Sequence, residues 1–443
     1  MPSSAPRPIA DPEELVGHFR AGYKAADALG IGMEHEKVGV YTDPARLGRA
    51  PDYETIRTLL EAMAARGWSR TEEHGRLIAL HRPTCGTITL EPGGQLEHSG
   101  APWPSAVAAV RDNGKHLDEL LPIAAELGVA FLGVGFRPFG TLDDVPWMPK
   151  GRYRVMREYL PTRGARAHEM MKRTATVQAN LDYTDEADAI EKLRLGLGLS
   201  SLVTALFAAS PLVDGRPSGM QSHRASCWLE TDPDRCGLLP FAFKPGASFR
   251  DYAEWALDVP MFFVYRDGDY RAMHLTFRRF LREGWNGEKA TLADWEVHLS
   301  TLFPEVRLKT YVEVRQADAS TREMVRALPA LWRGLFYDRQ AREAAWQLVA
   351  SWSFDERLDL YRRTPREGLR ATARGTPLST LCREMVSIAK AGLVRLGAAD
   401  GAALLEPLDE VLTEGRSVAD RMLAEHAKSG GDPAKLIEAF RLR

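Results

Sequence analysis

An α+β fold is predicted by three features of the 443-residue sequence. Helical and strand-like periodicities alternate irregularly, without the β-α-β rhythm of a doubly wound parallel sheet. No internal repeat or low-complexity block is present. Several short strand-like stretches carry charged or amide side chains at every second position, which gives each a polar and an apolar face. The length exceeds what one simple hydrophobic core usually fills. No Ser/Gly-rich or Pro-rich linker divides the chain, so residues 1–443 read as a single catalytic unit, with an α+β core over 1–375 and a helical cover over 376–443.

Composition narrows the function. Apolar residues make up 44% and charged ones 27%, the balance of a folded soluble enzyme rather than a disordered chain. Lys plus Arg (58) nearly cancel Asp plus Glu (60), so the whole-molecule field favours neither nucleic acid nor an anionic membrane. Cys85, Cys227, Cys236 and Cys382 form no C-x-x-C pair, which argues against a zinc ribbon or a disulfide scaffold and suits a reducing cytoplasm. The stretch from Met1 to Leu15 contains Asp11, Glu13 and Glu14 and no apolar run, and is not expected to be a signal peptide.

Along the chain, helical periodicity is clear from Ser105 to Leu127, from Glu186 to Ala209 and through most of the chain after Ser379. There Asp432-Pro433 reads as an N-cap followed by a first-turn proline. The longest charge-free run, Leu195 to Val213, holds Ser200, Ser201, Thr204, Ser210 and Pro211, and reads as a buried core helix rather than a membrane span.

Four extended segments carry the chemistry. In Gly32–Val38, a period of two puts Glu34 and Glu36 on one face, about 7 Å apart. In Thr87–Glu97, Pro92-Gly93-Gly94 bends the chain between two short strands, with Glu91 before the bend and Gln95 and Glu97 after it. In Thr176–Asp182, Thr176, Gln178, Asn180 and Asp182 face one way and Val177, Ala179 and Leu181 the other. In Tyr311–Arg315 the polar side carries Glu313 and Arg315. Any one of these faces could be plain surface. Four together, on strands otherwise rich in Val, Ile and Leu, suggest carboxylates meeting in a sheet interior, where they repel unless a cation neutralises them. Oxygen-only ligands suit Mg²⁺, with Mn²⁺ as the alternative. Arg315, beside Glu313, would then meet a transferring phosphoryl group.

Between Trp147 and Arg173, eight basic residues stand against two acidic ones. Most read as a solvated helix surface. Met148-Pro149-Lys150-Gly151-Arg152-Tyr153 reads instead as a shaped loop able to meet a nucleotide or a substrate carboxylate. No Walker loop, dinucleotide fingerprint or nucleophile elbow is present. His223 and Cys227 have helical spacing for a metal pair, but no further ligand is in sight, so Cys227 reads as a packed thiol. The residues alone reach a metal-dependent enzyme that handles a phosphorylated nucleotide.

At these segments the sequence resembles the plant and proteobacterial class of glutamate-cysteine ligases. The resemblance rests on Gly32–Lys37, Leu90–Glu97, Met148–Tyr153 and Arg173–Asp182. It continues through Arg224, Leu239–Phe241, Leu257–Met261, Leu302–Lys309 and Leu328–Trp332. It implies a twisted, mainly antiparallel sheet related to the glutamine synthetase catalytic fold, with ATP and Mg²⁺ on its concave face. By the same resemblance Glu34, Glu36, Glu91, Glu97 and Glu313 hold metal, and Gln178 faces it. Arg315 meets the transferring phosphoryl group, and Arg173 and Arg224 contact substrate carboxylate or phosphate. The implied reaction joins the γ-carboxylate of L-glutamate to the amine of L-cysteine through a γ-glutamyl phosphate. A redox-sensitive cysteine pair of the plant members falls on the segment 271–287, which has no cysteine here, so that switch is expected to be absent. Other destinations remain open: a product bound for ergothioneine, a different amine acceptor, or a non-catalytic protein that kept the fold. Oligomeric state, monomer or homodimer, is left open as well.

Overall fold

A computed structural model describes residues 7–443; the start of the N-terminal stretch discussed above lies outside the described residues. The centre is a nine-stranded sheet in which every pairing is antiparallel. Its strands are β1 (Ile31–Tyr41), β2 (Ser69–Glu73), β3 (Arg76–Arg82), β4 (Gly86–Leu90), β5 (Leu96–Ser99), β6 (Val129–Leu132), β7 (Thr176–Leu181), β8 (Val306–Leu308) and β9 (Val312–Asp318). The order is β8-β9-β7-β1-β5-β4-β3-β2, with β6 also on β1.

The long β1 organises this sheet. Its first half pairs with β7 on one side, Glu34 opposite Gln178, and with β5 on the other, Glu36 opposite Glu97. Its second half, Val38 to Tyr41, pairs with β6. Along β7, Val177, Ala179 and Leu181 are wholly buried, and the helices Ala106–Glu126 and Arg322–Tyr337 pack against the β1 and β7 region. This is the apolar half of the alternation turned to the core.

The back of β1 is not simply apolar. His35 and Lys37 are both fully buried there, and the Lys37 amine donates to the His35 carbonyl at 2.7 Å. Burial pulls the Lys37 amine down to about 7, although Glu97 and Glu36 across the sheet oppose this. His98 stacks on His116 at 4.3 Å between ring centres, and burial lowers His98 to about 3, so these rings pack as neutral, flat groups.

Two helical readings change in detail. The periodic stretch 186–209 is broken at Leu199 into helices Glu186–Gly198 and Ser200–Leu206, all of Leu195–Leu206 being buried. The segment expected to be a loop, Met148–Tyr153, enters a helix at its midpoint: Gly151–Tyr159 is helical, so Arg152 and Tyr153 stand in a first turn. The C-terminal helices share the main hydrophobic core, through Met385, Val386, Leu408 and Leu436 among others. Asp432 caps the last of them, accepting from Ala434 N at 2.9 Å, and Leu442 N donates to Phe131 O at 2.8 Å on β6. Among the described residues no helix is long and apolar enough to cross a membrane.

One close approach matters to the site. The turn 92–94 packs against the backbone of Lys172, where a Cβ on Gly93 would lie 2.1 Å from the Lys172 carbonyl oxygen. Backbone cannot yield as a side chain does, so Gly93→Ala should lower the unfolding free energy by about 1–3 kcal/mol in denaturant titrations.

Candidate active site

The sheet register gathers the acids. Alternation along β1 turns Glu34 and Glu36 to the same face, β5 adds Glu97 opposite Glu36, and β7 adds Gln178 opposite Glu34. Glu91 arrives by the β4–β5 turn, closed by Glu91 N to Gln95 O and Gly94 N to Glu91 O, both 2.9 Å. The buried Gln95 side chain locks that turn to the neighbouring helix Ala167–Arg173, accepting from Gly93 N at 3.0 Å and donating to Thr174 O at 2.8 Å. Glu34, Glu36, Glu91, Glu97 and Gln178 thus line one cavity of about 380 Å³.

Each acid is held in place. Glu34 accepts from Asn180 Nδ2 at 2.8 Å and Glu36 from Thr176 N at 2.9 Å. Glu97 accepts from Ser99 Oγ at 2.9 Å and Thr89 Oγ1 at 3.0 Å. Burial, then the charges of Glu313 and Glu97, pushes the Glu34 carboxyl up to about 8, against the pull of Lys309 and Asn180. Burial followed by Glu91 and Glu97 raises Glu36 well above the carboxylate range, and burial with Glu91 raises Glu97. Glu34, Glu36 and Glu97 therefore ionise less readily than ordinary carboxyls unless positive charge is added. The donor set is oxygen only, which fits Mg²⁺ or Mn²⁺.

Opposite the acids stands a basic wall. Lys150, Arg152, Arg224 and Arg315 line the same cavity, joined by Arg307 and Lys309 from β8 and the residue after it. Arg315 sits in a β-bulge: Val314 is opposite Ala179, but Ala317 rather than residue 316 is opposite Val177. Arg315 N donates to Glu305 O at 3.1 Å, continuing the pairing with β8, while its guanidinium donates to Gln178 Oε1 at 2.7 Å. Arg224 supports it from behind, donating to the carbonyls of Arg315 at 2.7 Å and Gln316 at 3.3 Å. Buried Asp318 faces Arg224 at 3.7 Å and accepts from Ser210 Oγ, Ser222 Oγ and Ala209 N at 2.6, 2.8 and 2.9 Å.

Two expected residues stand elsewhere. Glu313 does not line the cavity with the other acids; it is fully buried and its carboxylate is consumed by cations. Arg307 Nη2 reaches its two oxygens at 2.7 and 2.9 Å, Lys309 Nζ lies at 3.0 Å, and Arg315 pairs with it. Burial alone would raise its pKa, but Arg307, Lys309 and Arg315 outweigh burial and hold Glu313 well below the carboxylate range. In this arrangement Glu313 is the counter-ion of the basic wall, near enough to the acid cage for its charge to raise Glu34. Arg173 also departs from expectation. It is buried against Phe136, and its guanidinium is used by Arg137 O, Gly140 O and Asp214, away from the cavity. It braces the loop before β7.

Sequence reasoning missed Arg307, Lys309, Tyr311 and Trp228 on the lining. The signal for the first three was available: Arg307, Lys309 and Tyr311 repeat the same period of two, one strand away from Glu313. Trp228 carried none, because it lies on a short helix whose aim only packing decides.

Comparisons with known proteins identify the family. The profile of glutamate-cysteine ligase family 2 matches residues 30–439. The chain belongs to that family. The matched span contains every acid and base of the cavity. The chloroplastic glutamate-cysteine ligase of Arabidopsis thaliana is 41% identical over 416 residues, covering 93% of this chain and 79% of the relative. That of Solanum lycopersicum is 41% identical over 432 residues, covering 96% and 82%. Among solved structures, a glutamate-cysteine ligase from Francisella tularensis in complex with AMP superposes with a TM-score of 0.55 over 95% of this chain and 90% of the other. At 12% identity that likeness concerns the fold alone.

The acids set a pH dependence for the metal-free protein. Glu34 titrates near 8 when folded against an ordinary 4.5, so between these values the folded state keeps a proton that the unfolded chain has lost. The part of the stability that Glu34 contributes is therefore full below about 4.5 and falls as pH rises towards 8. Thermal melts in EDTA should show this decline, and millimolar Mg²⁺ should flatten it; parallel curves with and without Mg²⁺ would refute a cation requirement at the cage.

Proposed function

We propose that this chain catalyses ATP-dependent ligation of the γ-carboxylate of L-glutamate to the amine of L-cysteine, giving γ-glutamylcysteine, ADP and phosphate, the first step of glutathione synthesis. The observation that carries this reading is the cavity itself, four half-buried carboxylates facing a wall of Lys and Arg, in a chain about two-fifths identical to plant glutamate-cysteine ligases. Glu34, Glu36, Glu91 and Glu97, with Gln178 beside them, would hold Mg²⁺, or Mn²⁺ in its place. The bound ion supplies charge neutralisation for phosphate oxygens.

The chain's own groups account for the rest. The first step brings a substrate carboxylate to a triphosphate, two anions that repel, so a positive wall is required. Arg315, held by Gln178 and Glu313 on a bulge that Arg224 props from behind, is placed to steady charge on the transferring phosphoryl group. Lys150 and Arg152, at the start of the helix Gly151–Tyr159, offer further donors at the cavity edge; the Nε of Arg152 is buried with no partner. The substrate γ-carboxylate oxygen attacks the γ-phosphorus, the bond to ADP breaks, and an acyl phosphate forms. Met156, Met170, Met171, Trp228 and Phe303 add an apolar patch to the lining, which limits water around that reactive anhydride. The cysteine amine then attacks the carbonyl carbon, phosphate leaves, and the amine releases its proton.

We further place the whole chain, 1–443, in one catalytic unit, the helices beyond 376 serving as cover to the α+β core. Four unpaired thiols support a cytoplasmic setting, a different compartment from that in the plant relatives' names. Arg315→Ala should slow single-turnover acyl-phosphate formation by about 10³-fold or more; an unchanged rate would remove Arg315 from that role. The reading as a whole is tested by an amine-acceptor screen with ATP, Mg²⁺ and L-glutamate, following ADP release and product mass. Cysteine should be preferred; a different preferred amine would redirect the reading within the same chemistry, and no ADP release with any amine would defeat it.

A further inference from the structure

Behind one wall of the cavity lies a second group of metal-ligating side chains that the proposed ligase chemistry does not use. His223 and Cys227, four residues apart on the helix His223–Leu229, share a helix face. Glu169, on the helix Ala167–Arg173, reaches between them. The Cys227 thiol donates to Glu169 Oε2 at 3.6 Å, and His223 Nε2 lies 3.6 Å from the same oxygen. All three ligand atoms are within 4.8 Å of one another. Bonds of about 2.0–2.3 Å to a tetrahedral ion place neighbouring ligands about 3.3–3.7 Å apart, the spacing that two of these contacts already have.

We propose that Glu169, His223 and Cys227 form a binding site for one Zn²⁺-class ion, with water as the fourth ligand. A sulfur, an imidazole and a carboxylate select a borderline-soft cation, whereas the oxygen-only cage selects a hard one. The orientation is preset: His223 is packed edge-on to Phe136 at 4.6 Å between ring centres, with Nε2 turned to the cluster and Nδ1 buried without a partner. Charge balances, because thiolate and carboxylate together cancel a divalent ion. In the metal-free arrangement Arg166 fills that electrostatic role, with Nη1 at 3.2 Å from His223 Nε2 and 3.8 Å from Glu169. It has somewhere to go: its Nε is 3.1 Å from Glu230, and the side chain is 30% exposed. On binding, the Cys227 proton passes to solvent and the Arg166 tip swings out while its Nε stays on Glu230. The ion would tie together two helices whose next residues, Met170, Arg224 and Trp228, line the cavity.

The test is a Co²⁺ titration of the full chain in excess Mg²⁺, which occupies the oxygen cage, reading near-ultraviolet thiolate-to-cobalt absorption and its loss when Zn²⁺ is added. One equivalent should give the band in the wild type. Cys227→Ser should abolish it, His223→Gln should weaken Co²⁺ binding at least tenfold, and Glu36→Gln should keep it, since the cage is separate. No band in the wild type, or a band unchanged in either Cys227→Ser or His223→Gln, would overturn the site. Melting of each variant in EDTA shows that it is folded, and either variant alone decides the outcome. Because the readout is absorption rather than turnover, its failure is distinct from any failure of the ligase reading.

Discussion

Repulsion among four half-buried carboxylates that line one cavity is the constraint around which this molecule is arranged. Glu34, Glu36, Glu91 and Glu97 share one sheet face, and burial with mutual repulsion raises three of them above their ordinary range. An arrangement this unfavourable persists only where the surrounding structure fixes every member. The structure does so through register pairing along β1, the Gln95-locked turn, and one or more neutral donors for each of Glu34, Glu36 and Glu97. The positive charge that would relieve the strain is arranged opposite, on Arg and Lys side chains that already have counter-ions or carbonyls to hold them.

Glu313 gives that wall its geometry. A fully buried carboxylate bound by two guanidiniums and an amine acts as a pivot: it neutralises part of the wall while leaving the Arg and Lys chains extended along the cavity. Removing one partner from such a network leaves a buried charge uncompensated, which is costly. The bulge in β9 and the Asp318–Arg224 support belong to the same device, since they set where the Arg315 backbone can lie. Acid face and basic face are therefore not independent patches, because Gln178 on β7 lies opposite Glu34 and accepts from Arg315.

Much of the acid face was legible in the sequence because strand alternation is a local rule. Glu34 and Glu36, or Thr176, Gln178 and Asn180, fall on one side whatever the rest of the chain does. The Pro92-Gly93-Gly94 turn is legible for the same reason, its stereochemistry being local. Arg173 and Glu313 illustrate the opposite. Both carry the right charge in the right neighbourhood, yet their partners are Asp214 and the Arg137 carbonyl in one case and Arg307 and Lys309 in the other, and nothing in the spacing specifies those encounters. The helix that begins inside Met148–Tyr153 was hidden by a proline and a glycine that mark its start rather than a loop.

The sequence by itself determined the α+β class, the alternating strands and the family to which the chain belongs, because these follow from periodicity and from motifs written in consecutive residues. Only the tertiary structure decided which charges meet. It joined Glu169 to His223 and Cys227 across more than fifty residues, turned Glu313 from cavity to counter-ion, and buried Lys37 and three histidines behind the acids. The physical reason is that the partner of a buried charge is chosen by chain closure over long separations, and local pattern carries no information about it.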